Sequence, residues 1–428
     1  MINNQMNIFD VMYKPFKIDK PIRIIELFGG YGSQSLSLKY LGVKFEHWKL
    51  CEWAIKSIQA YKDIHYPDDF IEVLDLSKDD IIDYLYKKGI SQNYNEPMTL
   101  EQIKRLSDEK LYTIYENIIV TNNLVNIQQV KGEDLEIVDT DKYCYIMTYS
   151  FPCQDLSLAG KGKGMSDTST RSGMLWEVER ILSECKNKPQ VLIMENVIQV
   201  HSEDNLPDFN KWKYRLEELG YKNYFQDLIA TDYGIPQIRN RCFMVSILGD
   251  YSYTFPKPIP LKLKLKDILE ENVGGKYNIS KELLEHINNT KKEHKEYTQY
   301  DRYNGEFEQL CRIWKNKAPT LHTNCNKIKI YTCLDLCQMG REGRTREYVN
   351  YFPTLSARDY KSPKLIKETN GKETTIRKLT PKECFRLMGV KDEDFERCAK
   401  NQSDSSLYHL AGDSIVVNVL MAIFKEML

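Results

Sequence analysis

The 428-residue chain is predicted to be an α/β protein, a mostly parallel, doubly wound sheet with a second, smaller and more irregular domain. Three observations lead there. Short apolar runs alternate with helix-patterned segments through the first half, as in parallel strands joined by crossover helices. The first apolar run ends in a glycine turn that opens a helix. The alternation then stops at Phe255-Pro256-Lys257-Pro258, beyond which Tyr, Lys and Asn dominate without a clear period.

Taken in order, residues 22–28 (IRIIELF) read as a buried strand, Gly29-Gly30-Tyr31-Gly32 as a turn, and Ser33 to Leu41 as a helix. A second strand spans 44–51, a helix runs from about Ala54 to Tyr61, and a third strand at 70–74 ends on Asp75. Strands at 143–149, 190–195, 223–229 and 241–248 continue the series. Residues 78–140 interrupt it; they are polar and mostly helical in pattern, an insertion with no evident chemistry. A helix with capping residues starts near Thr380-Pro381-Lys382-Glu383. The apolar Ser414–Leu428 segment is a helix that must pack on something. The expected division is therefore 1–256 with its insertion, 257–376 as a second domain, and 377–428 as a C-terminal return.

Apolar residues make up 42% of the chain and both charge signs are spread throughout, an ordinary globular composition. The absence of an 18-residue apolar run argues against a membrane span, and the first twenty residues lack a signal-peptide core. Eleven cysteines without regular spacing point to reduced thiols in a cytosol. Cys333 and Cys337 sit four apart with no partner pair nearby, so no metal site is expected. Net charge is −1, but residues 251–378 carry 25 Lys/Arg against 16 Asp/Glu. A basic segment on an acidic body suits a polyanion.

Ser150-Phe151-Pro152-Cys153-Gln154 places a cysteine behind a proline at the end of an apolar strand, ahead of the glycine-rich Gly160–Gly164. Such a thiol is a candidate nucleophile, although a lone cysteine there is as readily a core residue. The turn at 29–32 lets a ligand approach the backbone in front of a helix N-terminus. Glu52 follows about 20 residues later, where a carboxylate can bind ribose hydroxyls, and Asp75 ends the next strand at the same sheet edge. The turn departs from GxGxxG, which favours an adenosine ligand other than a dinucleotide. Glu195 ends the apolar strand at 190–195, and Arg239 and Arg241 alternate onto one face as the last strand begins. A carboxylate beside two guanidiniums can grip an anion or a base edge.

Six segments in this order, ELFGGYGS, PCQ, ENV, QIRNR, RKLTPKECFRLMGV and LAGDSIVVNVL, resemble the DNA (cytosine-5)-methyltransferases along nearly the whole chain. The resemblance implies a Rossmann-like methyltransferase sheet and S-adenosylmethionine as cofactor. It implies Cys153 as the nucleophile toward C6 of cytosine, with Glu195 at N3 and the exocyclic amine, Arg241 bracing both, and Arg239 assisting. Phe28, Gly30, Gly32, Glu52, Trp53 and Asp75 are then expected around the adenosine, and Pro152, Asp413 and Ser414 near the methionine end. The basic 257–376 segment becomes a target-recognition domain on double-stranded DNA, with the target base flipped out of the stack. A monomeric bacterial or phage-encoded enzyme of the cytoplasm, associated with the nucleoid and either paired with a separately acting restriction endonuclease or solitary, completes the expectation. Two departures stand out: Glu26 opens the first motif where Asp is usual, and Asp413 replaces the usual Asn. The alternatives are a tRNA cytosine-5 methyltransferase on the same scaffold and a non-catalytic DNA-bound regulator.

Overall fold

The computed structural model describes residues 13–70, 76–152, 172–282, 284–285, 291–295, 299–301, 306–308, 329–335, 344–349, 351–357, 359, 364–370 and 373–428. Its centre is a six-stranded sheet of β1 (Ile22–Leu27), β2 (Phe45–Cys51), β3 (Cys144–Tyr149), β4 (Val191–Val197), β5 (Tyr221–Ile229) and β6 (Asn240–Leu248). The spatial order is β2-β1-β3-β4-β6-β5. Strands β1 to β4 pair in parallel, whereas β6 runs antiparallel to both neighbours. All six residues of β3 are buried, which is why it reads as an unbroken apolar run covered on both faces.

Two cores sandwich the sheet. On one face Ile24, Ile146 and Val245 meet Leu36 of α1 (Ser33–Tyr40) and Leu420 and Phe424 near the C-terminus. On the other, Met147, Leu192 and Met244 meet Leu182 of α2 (Leu175–Glu184) and Trp212 of α3 (Leu206–Glu218). The C-terminal apolar stretch thus finds its partner in β1 and α1. By length and composition Asp404–Lys425 could cross a membrane, contrary to the apolar-run argument, but 61% of its most apolar window is buried within the protein.

The 78–140 insertion has a core of its own. Its helices Lys78–Lys88 and Asp108–Val120 are capped by Ser77 and Ser107, and Ile81, Leu85, Leu111 and Ile118 pack onto Ile58 of the helix Ile55–His65. The chain then returns beside β2, where Leu124 N–H donates to Leu50 O at 2.8 Å and Leu50 bridges Asn123 in parallel. The strand expected at 70–74 lies almost wholly outside the described residues.

Residues 291–378, read as irregular, contribute a five-stranded sheet: β7 (Lys291–Lys295), β8 (Lys329–Asp335), β9 (Arg344–Val349), β10 (Leu365–Asn370) and β11 (Glu373–Lys378), in the order β7-β9-β8-β10-β11. These strands carry Lys, Glu, Thr and Arg at most positions, and buried Leu334 and Leu365 form only a small core. With so little apolar alternation the strands leave a weak sequence signal.

Candidate active site

The glycine turn and Glu52 form the first half of the site. After β1 the backbone is left-handed at Phe28 (φ 57°), Gly30 (φ 55°) and Gly32 (φ 82°). A non-glycine residue held there stores strain of a kind concentrated at ligand sites. Gly30 N–H donates to Glu52 Oε2 at 3.0 Å, and Ala54 N–H to Oε1 at 2.8 Å. Burial pushes the Glu52 carboxyl up to about 7, against these hydrogen bonds and with the help of nearby Asp413. Gly32 stands behind the turn instead of lining the cavity: a Cβ there would lie 2.3 Å from His65 Nε2.

Glu26 has a structural task. It is fully buried and accepts from Ser35 N–H at 3.3 Å, Ser35 Oγ at 2.5 Å and the Tyr61 hydroxyl at 2.5 Å. It thereby ties β1 to α1 and to the helix Ile55–His65. Burial pushes its carboxyl up to about 7 as well.

The second half lies at the end of β4. Glu195 is 5% exposed, with Oε2 accepting from Ser150 Oγ at 2.6 Å and Oε1 paired with Arg241 Nε at 3.2 Å. The antiparallel register of β4 and β6 sets Val197 opposite Arg241, which delivers the guanidinium to the carboxylate. Asn196 Nδ2 donates to Phe151 O at 3.0 Å and fixes the turn leading to Pro152. Cys153, Gly160–Gly164 and Asp75 lie outside the described residues.

Arg239 lines the same cavity but serves the backbone. It donates to Leu355 O at 2.8 Å, Gly412 O at 3.1 Å and Ser414 O at 2.7 Å, joining the 354–355 segment to the C-terminal turn. Burial, then the charge of Arg241, draws its guanidinium down to about 9. Gly412 is required by contact, since a Cβ would fall 2.2 Å from the Ser356 carbonyl carbon. The next residue but one, Ser414, holds its Oγ 2.8 Å from the Tyr31 hydroxyl, so this turn also reaches the glycine turn. Thr354 Oγ1 donates to Ile238 O at 2.7 Å, which fastens this segment to the start of the QIRNR stretch.

Both halves open on one cavity of about 480 Å³. Phe28, Gly30, Glu52, Trp53, Pro152, Glu195, Arg239, Arg241, Asp413 and Ser414 all line it. So do Tyr94, Asn126, Ile127, Gln128 and His409, which sequence reasoning missed. Tyr94 (φ 64°) stacks on His409 with ring centres 4.3 Å apart and planes at 16°, joining the insertion to the C-terminal return. The legible signal for Asn126 was the short segment Leu124–Val125 followed by polar residues, a strand end at the β2 edge. Nothing local marked Tyr94. Asp413, where Asn was expected, faces the cavity with His409 Nδ1 3.3 Å from Oδ2. Enclosure raises its carboxyl, against the pull of His409 and Arg239.

Away from the cavity, His201, Asp227 and Cys242 bring potential metal donors within 4.8 Å of one another, although no ligand spacing announces them in the sequence. His201 Nε2 is 2.8 Å from Asp227 Oδ1, and Cys242 is sealed in the core with its thiol pushed up by burial.

Comparison with known proteins identifies the family. Residues 96–428 match the family model described as C-5 cytosine-specific DNA methylase. The chain is 32% identical to type II methyltransferase M2.ScrFI of Lactococcus lactis subsp. cremoris, over 95% of this chain and 99% of that one. It is also 32% identical to orphan methyltransferase M.SssI of Spiroplasma monobiae, over 95% and 97%. In fold it is similar to the crystal structure of S. pombe Dnmt2 methyltransferase, with a TM-score of 0.56 at 14% identity, over 94% of this chain and 97% of that one. The chain therefore belongs to the C-5 cytosine-specific DNA methylase family: it is a DNA (cytosine-5-)-methyltransferase whose methyl donor is S-adenosylmethionine.

Proposed function

We propose that the enzyme methylates a flipped-out cytosine by covalent catalysis, with Cys153 as nucleophile and Glu195 and Arg241 as the groups that polarise the base. The observation that carries this reading is the Glu195 carboxylate, held by Ser150 and Arg241 in a cavity that the chain enters at Pro152, immediately before Cys153. C5 of cytosine is a poor nucleophile. Addition of the Cys153 thiolate to C6 makes C5 enamine-like, and a hydrogen bond or proton from Glu195 at N3 stabilises the charge that develops. Arg241 keeps Glu195 aimed at the base edge. Loss of the C5 proton and β-elimination free the thiol. Arg239 acts as a positioning residue, through the main-chain carbonyls it holds.

The other half of the cavity suits the donor. Its volume fits a nucleoside-sized ligand, Gly30 presents bare backbone with no atom within 4 Å of where a Cβ would stand, and Phe28 and Trp53 offer aromatic surface. Glu52 is fixed by two backbone N–H groups and retains acceptor capacity for ribose hydroxyls. Phe28, Gly30, Glu52 and Trp53 would hold the adenosine, and Pro152, Asp413 and Ser414 the methionine part; the bound cofactor supplies an electrophilic methyl group. Asp75 stays in the proposal from sequence alone, whereas Gly32 acts by shaping the turn.

The 257–376 segment is proposed as the target-recognition domain on double-stranded DNA, supported by its Lys/Arg excess and by the contact of Leu355 with Arg239. The 1–256 and 377–428 segments together form the catalytic domain. The family supports action on DNA, in this reading in a cytoplasm, and the question of a companion endonuclease stays open between a relative named type II and one named orphan. Bisulfite sequencing of DNA from cells expressing the protein tests the reading. Methylated cytosines in one short motif are expected; unmodified DNA alongside methylated tRNA would overturn it.

A further inference from the structure

Three acids lining the cavity differ in how they are satisfied. Glu52 accepts two backbone N–H bonds, and Glu195 is held by Ser150 and Arg241. Asp413 sits at the end of the helix Asp404–Asp413 with His409 Nδ1 3.3 Å from its Oδ2 and, among the described residues, no hydrogen bond to its carboxylate. Its side chain is 55% accessible and the residue lines the cavity. Arg239, a buried cation lining the same cavity, points its two Nη groups at main-chain carbonyls. Asp413 raises the cost of ionising Glu52, and Glu195 raises that of Asp413 against the pull of His409, Arg239 and Arg241, so three acids crowd one cavity. A cation entering between them relieves that repulsion.

We propose that Asp413 makes the donor cavity charge-selective, holding the sulfonium form of the cofactor in preference to the neutral thioether that remains after methyl loss. The proposal rests on the reading of this cavity as the donor site. The two ligands share adenosine, ammonium and carboxylate groups, and differ by one methyl and one positive charge. His409 stands beside the Asp413 carboxylate, and Tyr94 stacked on His409 closes the same wall. The Asp413 carboxylate is thus a specificity-determining group that favours product release over product retention, a use that an asparagine at 413 could not serve.

The test is calorimetric titration of the wild-type chain, Asp413→Asn and Asp413→Glu with S-adenosylmethionine and with S-adenosylhomocysteine. Asp413→Asn is expected to lose about tenfold in affinity for the sulfonium ligand and less than about twofold for the thioether. Asp413→Glu should restore most of the preference, a rescue that a purely structural role for the residue does not require. Equal losses for both ligands, or no loss for either, overturn the proposal while leaving the donor site in place. A wild-type chain that binds neither ligand overturns the donor-site reading and the proposal with it.

Discussion

The cavity has two unlike walls. One is built from strand ends: Gly30 after β1, Glu52 after β2, Pro152 after β3, Glu195 on β4 and Arg241 on β6. The other comes from outside the sheet, with Tyr94 and Asn126 from the insertion and His409 and Asp413 from the C-terminal return. Groups on the first wall are locked by ladder register and buried hydrogen bonds, as bond-making requires. On the second, Tyr94 stacks on His409 and His409 lies against Asp413, an arrangement that suits enclosing and selecting a ligand. Chemistry on the sheet and retention on the additions is the division that the contrast teaches.

The largest effect is expected on the first wall. Glu195→Gln keeps the shape but loses the charge and the proton; turnover should drop by about two to three orders of magnitude with donor affinity unchanged. Single-turnover methylation and calorimetry on one preparation separate the two quantities. Glu52→Ala should weaken donor binding by about ten- to a hundredfold, because two backbone N–H groups lose their acceptor along with the ribose contact. A loss confined to kcat would contradict that assignment.

The second wall should respond differently. Tyr94→Ala removes the stack on His409 and is expected to raise the donor Kd by about three- to tenfold, leaving saturated turnover close to wild type. Should turnover fall as far as in Glu195→Gln, the division between the walls fails.

How much of this was legible follows the same line. Glu52, Glu195 and Arg241 announced themselves because each sits at the edge of an apolar strand, where period and position coincide. Tyr94 and His409 are more than 300 residues apart, and only the packing of the insertion onto the helix Ile55–His65 brings them together. Glu26 and Arg239 mark where that signal stops. A charge at a strand end looks the same in sequence whether it faces a ligand or a neighbour's backbone. Only the coordinates distinguish Glu26 bound to Ser35 and Tyr61 from Glu52 facing the cavity.

A separate effect is expected on stability. Glu26 and Glu52 both have carboxyls raised to about 7 in the fold, above the unfolded value near 4.5. The folded state therefore holds protons that the unfolded state has released between those limits. Their contribution is fully present below about pH 4.5 and is lost as pH rises through about 7. Glu26→Gln should flatten this fall by on the order of 1–3 kcal/mol, read from denaturant midpoints across pH 5 to 8, with the share of Glu52 remaining. A slope as steep as wild type would exclude Glu26 as its source.

The account's central claim is a covalent bond from Cys153 to the target base. Duplex DNA carrying 5-fluorocytosine in the recognition motif tests it directly, since fluorine at C5 cannot leave as a proton does and elimination is blocked. With S-adenosylmethionine present, the wild-type enzyme should form a complex that survives a denaturing gel, and Cys153→Ser should form none. A complex of equal yield with Cys153→Ser, or methylated DNA from that variant, would contradict the claim.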